Sequence, residues 1–168
     1  IYKPALSVGG DFFDVSKLCD HRASIFMADV MGHGARSALI TAVLRTLLQD
    51  LRQRVRTPSE LLEAVNRHFF ELMPHDEELI FATATSVVVD TRESVAIYAS
   101  AGHPSPYLVD RAHGSVVPLL RLEDTDPALG VYGAADYSDH SRPIEPGNTF
   151  LLYTDGVIEA PNEKGELY

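Results

Sequence analysis

Three aspartates lie in short segments that contain glycine, and each segment lies at the start or end of a strand-like run. Asp11 follows Gly9-Gly10, Asp29 opens the run DVMGHG, and Asp155 lies within the tripeptide TDG. Carboxylates gathered by strand ends repel one another and lose hydration, so they are seldom brought together without a cation that offsets their charge. Oxygen ligands of this kind suit Mg²⁺ or Mn²⁺. The pattern therefore predicts an acidic metal pocket that contains Asp11, Asp29 and Asp155.

Two strands joined by a short polar turn would position the first two aspartates. Residues 10–18 and 22–30 carry apolar side chains on both faces, which is typical of strands within a folded domain. In antiparallel pairing the start of one strand lies beside the end of the next. We therefore expect Asp11 and Asp29 to lie close together.

Two helices are predicted after this hairpin. Over residues 35–51 the apolar positions recur at helical spacing and indicate a core element. The second helix opens with the sequence TPSE, which supplies a capping hydroxyl at Thr57, a proline at the first helical position and Glu60 to return the capping bond. The predicted buried stripes are Leu39, Ile40, Val43, Leu44, Leu47, Leu48 and Leu51 in the first helix, and Leu61, Leu62, Val65, Phe69 and Leu72 in the second.

Strands are predicted again in the second half of the chain. Residues 80–89 indicate a strand buried on both faces, and residues 95–100 should pair with it. Further strands are predicted over residues 106–109, 137–144 and 149–154, with the last one ending at Asp155. Strands at both ends and a helical pair in the middle favour an α+β layered domain, with all of residues 1–168 in one domain.

Composition excludes several classes of protein. A formal net charge of -10 argues against a nucleic-acid partner, because phosphate backbones are bound by clustered Lys and Arg. Cys19 is the only cysteine, which excludes an internal disulfide and fits a reducing, cytoplasmic compartment. No apolar run approaches the length of a membrane span.

Five separated motifs, in order between Ser7 and Ala160, resemble those of one known family. They are GGDFFDV, MADVMGHG before a long helix, FATATSVVVD, ASAGHPSPYL and PGNTFLLYTDGVIEA. The chain is similar in these motifs to the bacterial SpoIIE and RsbU branch of the metal-dependent type 2C (PPM) protein serine/threonine phosphatases. Agreement of five motifs is far more specific than agreement of any one.

The resemblance implies a fold, a reaction and a class of partner. The fold would be a four-layer α-β-β-α sandwich of two antiparallel sheets flanked by helices, with two Mn²⁺ or Mg²⁺ ions at one end. The reaction would be hydrolysis of a phosphoserine or phosphothreonine monoester by a metal-activated water. The substrate would be a phosphoprotein such as a STAS-type anti-sigma-factor antagonist, and an upstream sensor domain would belong to the parent protein. Such phosphatases act in bacterial signal transduction, and their relatives can form homodimers.

The family's functional positions can be carried over residue by residue. Asp29 would bridge both metals, the carbonyl of Val30 would bind one of them, and Asp11 and Asp155 would complete the ligands that this chain supplies. Asp14 would make a supporting or water-mediated contact, or cap a turn. The neighbouring Gly32, His33 and Gly156 would support the ligands by their place in the chain.

Departures from the family pattern leave a second function open. The family continues into a strand with an Asp-Asp pair, one member of which binds metal, whereas this sequence ends at Tyr168. The opening strand before Ile1 is also missing, so we expect a domain trimmed at both ends. Position 31 is Met, where eukaryotic members have His, and no arginine matches their phosphate-binding one. The alternative is a catalytically weak or inactive domain of the same fold that acts as a regulatory protein-binding module.

Some of these residues also have a purely structural interpretation, or one from another family. The run GGDFF looks like the GGDEF signature of diguanylate cyclases, but Phe12 occupies the position where that signature needs an acid. His33 could be a general acid, a helix cap or part of a glycine-rich turn, and the structural role is preferred. A lone histidine such as His103 is more often a hydrogen-bonded structural group than a catalyst. Asp155 alone could be a turn former, since Asp-Gly is a common hairpin dipeptide.

Overall fold

The computed structural model describes residues 9–74 and 79–157. The elements found there, in chain order, are the strands and helices β1 (Phe12–Cys19), β2 (Arg22–Val30), α1 (Ala35–Leu51), α2 (Pro58–Leu72), β3 (Ala82–Asp90), β4 (Val95–Ala101), β5 (Tyr107–Asp110), β6 (Ser115–Pro118), β7 (His140–Pro143) and β8 (Asn148–Leu151). Short 3₁₀ turns cover Leu122–Asp124 and Asp155–Val157.

The strands form two antiparallel sheets. The larger sheet has the order β1-β2-β3-β4-β7, and the smaller has the order β6-β5-β8. β7 and β8 follow one another in the chain but belong to different sheets. The turn between them, in which Asn148 donates its N–H to the carbonyl of Glu145, therefore carries the chain from one sheet to the other.

Two apolar cores lie on opposite faces of the larger sheet. One core joins residues such as Phe26 and Ala28 of β2 to Leu44 and Leu62 of the helices. The other joins Val87 and Tyr98 of the larger sheet to Leu108, Phe150 and neighbouring residues of the smaller sheet. The alternation of side chains along β2 explains this arrangement, because successive residues point to opposite faces of a strand. The described residues thus form three layers: helices, the larger sheet and the smaller sheet.

Helix α1 has the bounds that its apolar spacing predicts. Ile40, Leu44, Leu48 and Leu51 are buried against the sheet. Leu39, which was also expected in the core, is 71% exposed, so that prediction was wrong. The buried stripe is narrower than expected, and the main contacts of α1 are with α2 and β2.

Helix α2 is capped largely as its opening sequence predicts. The side chain of Thr57 accepts the N–H of Glu60 at 3.3 Å. The Glu60 carboxylate instead accepts the N–H of Arg56 at 2.7 Å, one residue before the expected partner. Asp139 adds a second cap by accepting both the N–H and the hydroxyl of Ser59. Leu72 at the end of this helix is 58% exposed, which corrects its predicted burial.

Three features of the later strands differ from expectation. β6 was not predicted, because its four residues are mostly exposed and end in a proline. β7 begins three residues later than expected. It pairs with β4 only as far as Tyr98, because Asp126 forms a β-bridge with Ala101 and so occupies the rest of that edge of β4. β8 ends at Leu151 rather than at Thr154. The next residue would have to pair with Pro106, which has no N–H to donate to the ladder.

The observed architecture agrees with the predicted α+β class of two antiparallel sheets with helices packed on a sheet. The fourth layer of the expected sandwich, helices outside the smaller sheet, does not occur among residues 9–74 and 79–157. Within the same residues, neither helix is long and apolar enough to cross a bilayer.

Candidate metal centre

The antiparallel register places Asp11 across from Asp29. Phe12 pairs with Ala28, so one further step along the same ladder sets residue 11 opposite residue 29. The N–H of Val30 donates to the carbonyl of Gly10 at 3.3 Å, which extends the pairing to the end of the hairpin. Side chains that face each other across two strands lie on the same face of the sheet. Both carboxylates therefore lie at the same end of the β1–β2 hairpin, on one face of the larger sheet.

Gly10 provides the close approach between these two strands. A Cβ on this residue would lie 2.4 Å from the carbonyl oxygen of Val30 and 3.2 Å from Oδ1 of Asp29. Any side chain would therefore displace the backbone that carries the site. The carbonyl of Gly10 also accepts the hydroxyl of Thr41 at 2.9 Å, which fixes this corner to helix α1.

Asp155 approaches the site through its neighbour. The hydroxyl of Thr154 donates to Oδ2 of Asp11 at 3.0 Å. Asp155 begins the 3₁₀ turn Asp155–Val157, four residues beyond the end of β8. The prediction that a strand delivers Asp155 directly was wrong, because the ladder stops at Leu151. The chain between Leu151 and Asp155 reaches the site outside any strand.

His103 lies behind this cluster, and the sequence did not single it out as a functional residue. It is 3% exposed. Its Nδ1 lies 2.8 Å from the hydroxyl of Thr83, and its Nε2 lies 3.1 Å from the carbonyl oxygen of Tyr153. Burial lowers the pKa of His103 to about 4, although the hydrogen bond that its ring donates to the Tyr153 carbonyl and the charge of Asp11 act in the opposite direction. These bonds agree with the structural role expected for His103.

Gly102 is the sequence feature that could have drawn attention to His103. Gly102 has a φ of 69°, a left-handed conformation that favours glycine and turns the chain directly after β4. The turn directs the imidazole into the interior, and the hydroxyl of Ser100 holds the His103 carbonyl at 3.2 Å. A strand followed by a glycine turn and a histidine is thus a pattern that could have flagged this residue.

Asp14 lies apart from the other predicted residues. Its carboxylate forms an ion pair with the guanidinium of Arg52, the residue that follows α1. Both side chains are largely buried, with exposures of 17% and 11%. This contact links β1 to the far end of the helix, so a supporting role for Asp14 at the metal remains a prediction.

A cavity of about 170 Å³ opens beside the end of β2. Seven residues line it: Met31, Gly32, His33, Arg36, Ser37, Ile40 and Ile80. Gly32 and Gly34 have φ values of 90° and 82°, which turn the chain between β2 and α1. Gly34, rather than His33, occupies the position that caps α1. His33 is exposed and faces the cavity with Arg36. Gly156 lies within the 3₁₀ turn at the other side of the site.

The donor set suits a hard divalent cation, but it is not gathered into a complete cluster. Carboxylates of Asp11 and Asp29 and the carbonyl of Val30 are the oxygen ligands that Mg²⁺ and Mn²⁺ prefer. The close approach at Gly10 places two of these groups against one backbone position. Across the part of the chain that the structure describes, no group of three or more His, Cys, Asp or Glu side chains could hold a metal ion. The three-aspartate metal pocket therefore stays a prediction.

Comparison with protein families and curated proteins gives consistent matches. The family model for stage II sporulation protein E (SpoIIE) matches residues 19–168. The phosphoserine phosphatase RsbP of Bacillus subtilis is 30% identical over 159 residues, which cover 94% of this chain and 38% of RsbP. The phosphoserine phosphatase RsbU of the same organism is 26% identical over 164 residues, covering 98% of this chain and 47% of RsbU. The chain thus spans less than half the length of these two relatives.

Solved structures show the same fold. The PP2C domain of SiaA from Pseudomonas aeruginosa superposes with a TM-score of 0.84 at 29% identity, covering 99% of this chain and 64% of that one. The RsbU and RsbW domains of a Mycobacterium tuberculosis protein give a TM-score of 0.77 at 33% identity, and the match covers 94% of this chain and 42% of that one. Both the motifs and the fold agree, and the chain belongs to the SpoIIE family, in the RsbU-like branch of the type 2C protein serine/threonine phosphatases.

Proposed function

We propose that this chain is a metal-dependent phosphatase domain that hydrolyses phosphoserine or phosphothreonine on a regulatory protein. The observation that carries the proposal is the corner formed by Gly10, where a Cβ would meet both the Val30 carbonyl and the Asp29 carboxylate. The antiparallel register of β1 and β2 sets Asp11 opposite Asp29 at the same end of the sheet. Relatives named phosphoserine phosphatases support the same reaction.

Each residue of the site would have a separate role. Asp11, Asp29, Asp155 and the Val30 carbonyl would hold two divalent cations. The chemistry supplied by bound Mg²⁺ or Mn²⁺ is the activation of a water and the neutralisation of charge on the phosphoryl group. Thr154 orients Asp11, since its hydroxyl donates to Oδ2 of the carboxylate.

The cavity beside β2 would admit the phosphorylated side chain of the substrate. It begins at Met31, directly after the Asp29-Val30 pair, and it contains the cationic side chain of Arg36. A guanidinium can contact two phosphate oxygens at once. Arg36 is therefore our candidate for orienting the phosphate, a role for which the sequence alone offered no residue.

The partners follow from the same proposal. The substrate would be a phosphorylated STAS-type anti-sigma-factor antagonist or a similar protein, and an upstream sensor domain in the parent protein would control the activity. A cytoplasmic location fits such a partner. RsbX, a neighbour of the same fold with a TM-score of 0.68, was solved in complex with magnesium, which fits the proposed use of Mg²⁺ or Mn²⁺.

Hydrolysis of p-nitrophenyl phosphate by the purified chain tests the proposal. We expect turnover with Mn²⁺ or Mg²⁺ that EDTA abolishes, and we expect Asp29→Ala to lose this activity while retaining the circular dichroism spectrum of the wild type. Asp50→Ala is the matched control, because Asp50 lies exposed on α1 in an ion pair with Arg54. Unchanged turnover in Asp29→Ala would contradict the proposed mechanism.

A regulatory binding module is the second candidate. One observation favours it: among the described residues, no three or more His, Cys, Asp or Glu side chains are grouped so that they could hold a metal ion together. A folded wild-type chain with no Mn²⁺-dependent hydrolysis, and with measurable binding of a phosphorylated STAS domain by calorimetry, would support it. Turnover of the same phosphoprotein, followed by release of inorganic phosphate, would support the phosphatase instead. Light scattering on the same samples would show whether two copies form a homodimer.

A further inference from the structure

His103 makes hydrogen bonds with both ring nitrogens to two different parts of the chain. Its Nδ1 lies 2.8 Å from the hydroxyl of Thr83 on β3, and its Nε2 lies 3.1 Å from the carbonyl oxygen of Tyr153. The ring is almost fully buried, so neither bond competes with solvent. A single side chain thus joins the middle of the larger sheet to the segment that follows β8.

The chemistry of these partners determines the tautomer. A carbonyl oxygen can only accept a hydrogen bond, so Nε2 must carry the hydrogen that it donates to the Tyr153 carbonyl. In a neutral ring Nδ1 then accepts, and the Thr83 hydroxyl donates to it. Burial holds the pKa of His103 at about 4, which keeps the ring neutral near pH 7. The imidazole is therefore held at both ends in one orientation.

Each end of this link leads to a proposed ligand. Thr83 is the register partner of Asp29, so the two side chains lie opposite each other on neighbouring strands. Tyr153 precedes Thr154, which bonds Asp11, and Thr154 precedes Asp155. The path from Asp29 through Thr83, His103 and residues 153–154 returns to Asp11.

Residues 152–154 need such a link because they lie outside the β8 ladder. β8 ends at Leu151, and the 3₁₀ turn starts at Asp155. The intervening residues are partly exposed and have no strand partner to set their position. Segments without ladder bonds open locally at low free-energy cost, so a side chain that ties one down has a large effect on its order.

We propose that His103 is a positioning residue that clamps the Tyr153 carbonyl to Thr83 and thereby fixes Asp155 relative to Asp29 and Asp11. The inference rests on the proposed function for the role of these aspartates. The clamp itself is a property of the chain and can be tested without metal. A histidine that merely filled the core would stabilise the fold without controlling residues 152–157.

Four variants separate these possibilities. His103→Asn removes the group that reaches Tyr153, whereas His103→Gln can still place an amide N–H near the position of Nε2. Thr83→Val keeps the shape of its side chain and breaks the other end of the clamp. Asn66→Ala is a matched destabilising control, because Asn66 is buried and bonds Gly130 and Tyr132 away from the site.

The first measurement is amide hydrogen exchange of residues 152–157 by NMR in the metal-free chain. We expect exchange about 10-fold faster in His103→Asn and in Thr83→Val, with His103→Gln close to the wild type. Asn66→Ala should lower the melting temperature and leave exchange in this segment unchanged. ¹⁵N spectra of the wild type should show the Nε2–H tautomer between pH 6 and 8.

The second measurement is Mn²⁺ affinity by calorimetry on the same proteins. Loss of a side chain that orients ligands typically weakens metal binding by about 10- to 100-fold, and we expect this in His103→Asn and Thr83→Val but not in Asn66→Ala. If His103→Asn does not fold, Thr83→Val carries the test. Wild-type exchange and affinity in Thr83→Val would overturn the clamp. A wild-type chain that neither binds Mn²⁺ nor hydrolyses phosphate would instead sink the proposed function, while the exchange data would still decide whether the clamp exists.

Discussion

The hydroxyl of Thr154 donates a hydrogen bond to Oδ2 of Asp11 at 3.0 Å, although the two residues lie 143 positions apart in the chain. Asp11 precedes the edge strand of the larger sheet, and Thr154 follows the last strand of the smaller sheet. The contact joins the two sheets at the edge where the proposed ligands lie. It also gives Asp11 a fixed orientation before any cation binds.

Thr154→Val should weaken metal binding with little loss of stability. The variant keeps the shape of the side chain but leaves Oδ2 of Asp11 without this donor, and groups that orient a ligand typically contribute about 10-fold or more to metal affinity. Thr154→Ser retains the hydroxyl and is the matched control. Calorimetric titration with Mn²⁺ and thermal unfolding of both variants check the prediction. Equal Mn²⁺ affinities in the two variants would show that the bond does not orient Asp11.

Gly10→Ala should disrupt the candidate site through sterics alone. The added Cβ would lie 2.4 Å from the Val30 carbonyl oxygen, a backbone atom that cannot rotate away. Overpacking of this kind costs about 1 to 3 kcal/mol, and the shift separates β1 from β2 at the ligands. Urea unfolding and phosphatase assays measure the two effects. For stability, Gly156→Ala is the control, since the nearest atom to its added Cβ is 3.9 Å away and its φ is not positive. Similar stability losses in both variants would refute the steric argument.

Asp14→Asn should lower stability without lowering the rate of hydrolysis. The variant removes the carboxylate that pairs with Arg52 and leaves a largely buried guanidinium without that charge partner. Hydrogen bonds to charged groups contribute about 1.5 to 3 kcal/mol, and we expect a loss in the free energy of unfolding of this size. Asp50→Asn, in an exposed pair with Arg54, should cost less than about 1 kcal/mol. A slower reaction with unchanged stability in Asp14→Asn would instead support the predicted role of Asp14 at the metal.

The stability of the chain should fall as the pH drops from about 6.5 towards 4. Burial lowers the pKa of His103 to about 4 in the folded state, whereas the unfolded chain binds the proton near the ordinary pKa of 6.5. The unfolded state therefore binds more protons in this interval, and lowering the pH favours it. A shift of this size corresponds to roughly 3 kcal/mol, fully present above pH 6.5 and lost by pH 4. Urea unfolding of the metal-free chain at several pH values measures the loss.

His103→Gln isolates this contribution, because glutamine does not titrate. Asp90 and Asp110 also have lowered pKa values, from hydrogen bonds to their carboxylates, and they add a loss of stability at lower pH in both proteins. The free energy of unfolding of the wild type, relative to that of His103→Gln, should therefore fall by roughly 3 kcal/mol between pH 6.5 and 4. A constant difference over that range would mean that His103 is not held neutral in the fold.

Local sequence patterns and strand-pairing rules were sufficient to predict the hairpin, the two helices and the family. The bounds of β2 and α1 follow from alternation and from helical periodicity, which depend on residues near one another in the chain. That Asp11 lies near Asp29 follows from the short turn between β1 and β2, although a bulge between Lys17 and Cys19, which was not predicted, shifts the register by one residue and so sets Asp11 opposite Asp29. These features were predictable because few alternative contacts compete with them.

Tertiary structure alone decided how the C-terminal segment reaches the site. The proline opposite Leu152 in the smaller sheet ends the ladder early, so contacts of residues 153–154 with His103 and Asp11 replace the predicted strand. These partners come from distant parts of the chain, and no local pattern shows which of the buried polar groups will meet. The sequence by itself determined the family, the helices and the hairpin that carries Asp11 and Asp29. Packing of the two sheets determined the partners of His103, Asp14 and Thr154, because a side-chain hydrogen bond depends on positions in space rather than on spacing along the chain.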